Sequence, residues 1–99
     1  MNDQKAILLV TAKVNKSKME DLKSYLEQIG PLMKKFGGQP VATYKTIQEI
    51  AGEQSPELMS VSAFASADVI NELVNSDEFK ALAELRASVF SKLNLMICE

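Results

Sequence analysis

The chain has 99 residues, of which 46% are hydrophobic and 24% charged, and its formal net charge is -2. This composition is typical of one globular domain and excludes a disordered tail, and the small acidic excess provides no cationic field for a nucleic-acid backbone. The chain contains no His, which excludes imidazole-based triads and removes the usual zinc and haem ligand. We expect no nucleic-acid partner, no metal and no cofactor.

Cysteine content and the start of the chain indicate the cellular location. The single Cys98 cannot form an internal disulfide, and no charged segment followed by an apolar one marks a secretory signal. The apolar run at residues 6–10 is far shorter than the about 20 residues that span a bilayer. These features predict a cytoplasmic protein that does not associate with a membrane.

The first third of the chain predicts a strand and then an amphipathic helix. Residues 6–14 are β-branched and aliphatic and alternate between two sides, which predicts a strand. Ser17 and Glu20 have the spacing of a capping box that starts a helix. Pro31 predicts a bend in that helix, and the glycine pair at 37–38 predicts its end. The apolar stripe of this helix comprises Met19, Leu22, Leu26, Ile29, Met33 and Phe36.

The rest of the chain predicts two strands, an interrupted helix and a last strand. Residues 39–50 and 58–65 favour extended structure, with a turn between them. Ser66 caps a helix over residues 67–74, a second cap lies at residues 75–78, and helix continues to about Lys92. A final strand covers residues 93–98.

The predicted element order is strand, helix, strand, strand, helix, strand. This is the ferredoxin-like βαββαβ arrangement, a single α+β domain over residues 1–99 with a four-stranded antiparallel sheet and two helices on one face. The first strand carries large aliphatic side chains on both of its faces, although the helices cover only one. We therefore expect the open face to pair with a second copy in a homodimer.

Two segments support a family resemblance. Residues 29–38 read IGPLMKKFGG before a strand, and residues 75–86 read NSDEFKALAELR. With both segments at this spacing, the chain resembles the small bacterial family called domain of unknown function 1330, within the dimeric α+β barrel superfamily. The resemblance spans nearly the whole chain and implies a sheet-paired dimer with a small internal cavity.

Arg86 is the first candidate for a binding residue. It is the only Arg, and helical periodicity places it within an apolar arc that includes Phe79 and Leu82. A guanidinium is rarely buried without a partner, so a ligand carboxylate is one candidate for that partner. The structural alternative is that its stem covers apolar surface while its charged head reaches solvent at the domain edge or pairs with an acid such as Glu57 or Asp68.

Strand residues supply the other candidates. Tyr44 and Lys45 point to opposite faces, so only one of them can line a given cavity, and Tyr44 could donate a proton or hold a carbonyl oxygen. Ser62, with Ser60 and Thr11, could form a row of hydroxyls beside Asn94. Each of these side chains is also explained as ordinary wall or edge structure.

Two functions of different classes follow. Relatives in the superfamily imply, by analogy, a cofactor-independent oxygenase or isomerase acting on a small aromatic or oxo acid. In that case Arg86 would bind a carboxylate, Tyr44 would polarise a carbonyl and Asn94 would hold an oxygen. The alternative is a non-catalytic dimer that binds a small metabolite, such as a small anionic ligand, or another protein.

Overall fold

The sheet and its helices follow the predicted order closely. The computed structural model describes residues 5–52 and 55–99, and these form a four-stranded antiparallel sheet with helices against one face. In chain order the elements are β1 (Ala6–Val14), a 3-10 turn (Lys16–Lys18), α1 (Met19–Lys35), β2 (Gln39–Lys45), β3 (Leu58–Phe64), α2 (Ala67–Asn75), α3 (Asp77–Ala81), α4 (Ala83–Val89) and β4 (Phe90–Cys98). The ferredoxin-like fold is therefore confirmed.

The strand order is β2-β3-β1-β4, so β1 and β3 lie inside the sheet and β2 and β4 form its edges. Alternation along β1 separates the two faces, because Ala6, Leu8 and Ala12 are buried while Ile7 and Leu9 are only partly so. The buried face packs against the helices. The core between the two layers comprises Ala6, Leu8, Leu22, Tyr25, Ile29, Leu32, Phe64, Ile70, Leu73, Phe79, Leu82 and Val89.

The start of α1 differs from the prediction. Asn15 Oδ1 accepts hydrogen bonds from the Ser17 N–H at 3.3 Å and from the Ser17 hydroxyl at 2.8 Å. Lys18 precedes the helix and makes no side-chain cap. The predicted capping box of Ser17 and Glu20 is wrong, because Ser17 lies inside the 3-10 turn and Lys18 occupies the position before α1. Gly37, with φ of 82°, ends the helix as predicted.

The second helical segment is interrupted where the sequence predicts a cap. Ser76 is extended, with φ of -69° and ψ of 152°. Its hydroxyl donates to the Leu73 carbonyl at 2.6 Å and accepts from the Phe79 N–H at 3.2 Å, so one side chain ends α2 and begins α3. A second break at Leu82 separates α3 from α4.

Three boundaries differ from those predicted by three residues or more. β2 ends at Lys45 rather than at residue 50. β4 begins at Phe90, before the predicted 93, because Phe90 already pairs with Val14 of β1. Helix correspondingly ends at Val89, short of Lys92.

Candidate functional site

The open face of the sheet contains one row of polar groups. Strand register pairs Tyr44 with Met59, Met59 with Thr11, and Thr11 with Asn94, so these four residues form a row across all four strands. Residues paired in this way point to the same face. Tyr44 is 58% exposed, and its phenol is a donor and an acceptor. The row therefore offers two hydroxyls and one amide on a face that no described helix covers.

A bulge in β2 places Tyr44 on this face. Pro40 pairs with Ser62 and Ala42 pairs with Val61, so Val41 between them has no partner in β3. One extra residue inverts the faces of every residue after it. Without the bulge, Tyr44 would point to the helix side of the sheet.

The next row on the open face is apolar. It consists of Ala42, Val61, Leu9 and Met96, again in register across the four strands. These side chains are partly or well exposed. The apolar row lies directly beside the polar one, so the face combines an apolar floor with hydrogen-bonding groups.

The four predicted site residues do not come together. Tyr44 and Asn94 share the open face but lie on opposite edge strands, about 14 Å apart at about 4.8 Å per strand. Ser62 pairs with Leu8 on the helix face and is 6% exposed. Of the predicted hydroxyl row, only Thr11 lies beside Asn94, because Ser60 and Ser62 point to the helices.

Arg86 lies in the helix layer between two aromatic rings. Its guanidinium carbon is 3.9 Å from the Phe79 ring centroid and 5.9 Å from that of Tyr25. Nη2 donates to the Phe79 carbonyl at 3.2 Å. Nη1 is buried and has no hydrogen-bond partner among the residues that the structure describes. These contacts explain how an Arg is accommodated within an apolar arc.

Neither predicted carboxylate partner pairs with Arg86. Glu57 instead accepts from the Val14 N–H at 2.8 Å, with Lys16 Nζ 4.0 Å from its other oxygen. Within the described ranges, Asp68 forms no ion pair with Arg86. The Arg86 guanidinium therefore packs on Phe79 instead of pairing with either acid, and its binding of a ligand stays a prediction.

Two surface depressions of the described chain lie away from the four predicted site residues. One of about 370 Å³ runs along α1 and is lined by Met19, Leu22, Lys23, Leu26 and Glu27. Another of about 180 Å³ lies at the end of β3, lined by Lys5, Gly37, Gln39, Ala63, Phe64 and Ala65. Neither of these two depressions is lined by Arg86, Tyr44, Asn94 or Ser62.

Sequence reasoning missed one charged feature of the open face. Lys13 and Lys92 are paired across β1 and β4, next to the Thr11–Asn94 pair. Like charges directly opposite each other destabilise a sheet. The pattern could not show this pair, because the predicted final strand began after Lys92.

Within residues 5–52 and 55–99, no three side chains of His, Cys, Asp or Glu come together as a possible metal site. No helix in those ranges is long and apolar enough to cross a membrane.

Comparison with solved structures agrees with the fold. A protein of unknown function from Rhodopseudomonas palustris superposes with a TM-score of 0.81 at 12% identity, covering 97% of this chain and 82% of the other. A dimeric protein of unknown function with a ferredoxin-like fold from Bacteroides fragilis gives 0.68 at 15% identity, covering 96% and 95%. A DABB family protein with a ferredoxin-like fold from Mesorhizobium loti gives 0.68 at 11% identity, also covering 96% and 95%. At these identities the likeness shows the fold alone.

Comparison of sequences is more specific. No curated protein matches this chain. The model of the family described as "Domain of unknown function (DUF1330)" matches residues 7–99, which is nearly the whole chain. The chain therefore belongs to the DUF1330 family.

Proposed function

We propose that this chain is a homodimer through the open face of its sheet, and that the dimer binds a small organic molecule between the two sheets. The observation that carries the proposal is the apolar row at Leu9 beside the polar row at Tyr44, Thr11 and Asn94. The helices pack on the other face, so these side chains meet no second layer of the described chain.

The size of the open face favours a second copy as its cover. Four strands about 4.8 Å apart and about six residues long present about 400 Å², comparable with the largest apolar patches that monomers expose. Burying that area on two chains would give at most about 20 kcal/mol at about 25 cal/mol per Å², and the polar row lowers this figure. Association costs about 4–15 kcal/mol, so burial of the open face offsets much of that cost.

The Bacteroides fragilis protein, which shares the fold, is described as dimeric. That is a property of the relative, and it supports the proposal by analogy of fold.

The expected ligand has an apolar body and one polar end. Leu9 and Met96 would contact the body, and the paired residues Thr11 and Asn94 would bind the polar end through a hydroxyl and an amide group. A small carboxylate or oxo acid has this chemistry. Two sheets, each with such a face, would enclose the molecule more completely than either depression on the single chain.

Catalysis on such an acid is the second candidate. The observation that favours it is the exposure of Tyr44 on the open face, where its hydroxyl would contact a substrate carbonyl. Incubation with phenylpyruvate and dissolved oxygen distinguishes the candidates, because an oxygenase consumes both, an isomerase converts the acid without consuming oxygen, and a binding protein changes neither.

Sedimentation velocity over a wide dilution series tests the dimer. The expected species at high concentration has twice the 10.9 kDa chain mass. Leu9→Lys places a charge in the middle of the open face and should give a monomer that remains folded by circular dichroism. Leu26 lies on the outer side of α1 and is 52% exposed. Leu26→Lys is therefore the matched control and should remain dimeric. A wild-type monomer at every dilution would overturn the proposal.

Thermal shift tests the ligand. Benzoate and phenylpyruvate should raise the melting temperature of the wild type, since a ligand at a hundred times its dissociation constant adds about 2.7 kcal/mol. Asn94→Leu should reduce the shift without changing the dimer, whereas Tyr44→Phe, about 14 Å away at the other edge of the sheet, should keep it. A shift in Asn94→Leu as large as that of the wild type would mean that the ligand binds elsewhere.

A further inference from the structure

The connection after β2 exposes two isoleucines almost completely. Ile47 is 95% exposed and Ile50 is 92% exposed. Isoleucine is among the residue types most often fully buried in proteins, and here two of them lie three residues apart on one exposed segment. We name residues 46–52 the arm.

The base of the arm is fixed, and the rest of it leaves the sheet. The Thr46 N–H donates to the Glu57 carbonyl at 2.9 Å, and the Thr46 hydroxyl donates to the Pro56 carbonyl at 2.6 Å. β2 itself ends at Lys45. The two isoleucines therefore lie beyond the last strand pairing, on a segment whose starting point is held in place.

We propose that the arm packs against a second copy of this chain and forms part of the same dimer interface, an inference that rests on the proposed function. The arm continues directly from β2, and Tyr44 near the end of that strand lies on the open face. A second copy seated on the face is therefore within reach of the arm. Two-fold symmetry repeats the contact, so both arms are covered at once.

The area of the interface also favours a second copy of this chain as the partner of the arm. Two open faces of about 400 Å² each give about 800 Å², whereas stable interfaces bury about 1,200–2,000 Å². Each isoleucine offers on the order of 100 Å² of apolar surface. Four isoleucines, with the partner surface that they cover, bring the total into the range of a stable dimer.

The double variant Ile47→Ser and Ile50→Ser tests the arm, with Gln48→Ser and Glu49→Ser as a matched control on the same segment. Sedimentation across a dilution series should show the dimer dissociation constant raised at least a hundredfold in the isoleucine variant. The control should stay within threefold of the wild type. Unchanged dissociation in the isoleucine variant, with the wild type dimeric, would overturn the role of the arm and leave the sheet-paired dimer standing.

A second comparison separates the partner contact from folding of the single chain. In the Leu9→Lys background, which should be monomeric, the isoleucine double variant should not change the melting temperature, because the two side chains are already exposed. A clear fall there would mean that the arm packs on its own chain and would overturn the inference. A dimer weakened by the arm variant but not by Leu9→Lys would instead overturn the sheet-paired dimer and keep the arm contact.

Discussion

Arg86 and Phe79 contact each other through both ring and backbone. The guanidinium carbon lies 3.9 Å from the ring centroid, and Nη2 donates to the carbonyl of the same residue at 3.2 Å. That carbonyl also accepts from the Leu82 N–H at 3.1 Å, at the point where α3 ends. Arg86 of α4 therefore binds the last turn of α3 and holds the two short helices together.

Replacing Arg86 tests this structural role. We expect Arg86→Met to lower the free energy of unfolding by about 1–2 kcal/mol, because it removes a cation–π contact and a charged hydrogen bond. Urea denaturation at one fixed protein concentration measures the change. Lys80→Met, at an exposed position on α3, is the control and should stay within about 0.5 kcal/mol of the wild type. An Arg86→Met protein as stable as the wild type would contradict the structural role.

Arg86 also shows where sequence reasoning stops. Helical periodicity correctly places it among apolar residues such as Phe79, because position on a helix depends on spacing alone. Its acceptor is a backbone carbonyl that becomes available at the break near Leu82. Sequence patterns favour carboxylate partners and do not show which carbonyls a helix end leaves open.

Strand faces could be predicted, but cross-strand register could not. Alternation in β1 and β3 separates the two faces correctly, since side chains on a strand alternate. The row that joins Tyr44 to Asn94 depends on the bulge at Val41, and a one-residue bulge leaves little trace in composition. The sequence therefore predicts the open face, and the structure adds which residues are neighbours on it.

Gly38 lies against the ring of Phe64. A Cβ at residue 38 would be 2.6 Å from Phe64 Cζ and 3.0 Å from the Met33 carbonyl oxygen. Phe64 is almost fully buried, so its ring has little room to move. We expect Gly38→Ala to lower the free energy of unfolding by about 1–3 kcal/mol through overpacking.

A double-mutant cycle identifies the contact responsible. Phe64→Leu shortens the side chain that the new methyl group meets, so the combined variant should lose less stability than the sum of the two single variants. Thermal denaturation of all four proteins measures the coupling. Additive losses would mean that the cost at Gly38 comes from the backbone and not from the ring.

Glu78 and Lys35 form an exposed ion pair between α3 and α1. The pKa of the Glu78 carboxyl lies below its ordinary value of 4.5, mainly because the Lys35 ammonium donates a hydrogen bond to it, with further contributions from the backbone N–H of Glu78 and the charge of Lys35. A carboxyl with a lowered folded pKa contributes stability above its ordinary pKa, and that contribution disappears as pH falls through the folded value. The effect should be small, because both groups are exposed and screened by salt.

Lys35→Met tests the pair directly. We expect the pKa of Glu78, followed by carboxyl-carbon NMR from pH 2 to 7, to rise most of the way to its ordinary value. Lys34→Met, one residue earlier on α1, should leave it lowered. High salt should also raise the pKa in the wild type. The same low pKa in Lys35→Met would assign the shift to the backbone N–H instead.

Glu57 joins the start of β3 to the end of β1 through side chain and backbone. Its carboxylate accepts from the Val14 N–H at 2.8 Å, and its own N–H donates to the Ala12 carbonyl at 2.9 Å. The Val14 N–H is partly buried, so removing its acceptor costs the desolvation of an unpaired donor. We expect Glu57→Ala to lower the free energy of unfolding by about 1–3 kcal/mol.

Glu57→Gln distinguishes hydrogen bonding from charge at this position. Its amide oxygen can still accept from the Val14 N–H, so its stability should stay within about 0.5 kcal/mol of the wild type at pH 7. Lys16 is 4.0 Å from the carboxylate and is highly exposed, and such pairs contribute little. Equal losses in Glu57→Ala and Glu57→Gln, measured by urea denaturation, would show that the charge of Glu57 matters more than its hydrogen bond. A loss confined to Glu57→Ala would mean that an acceptor at this position holds the strand ends, and with them the base of the arm.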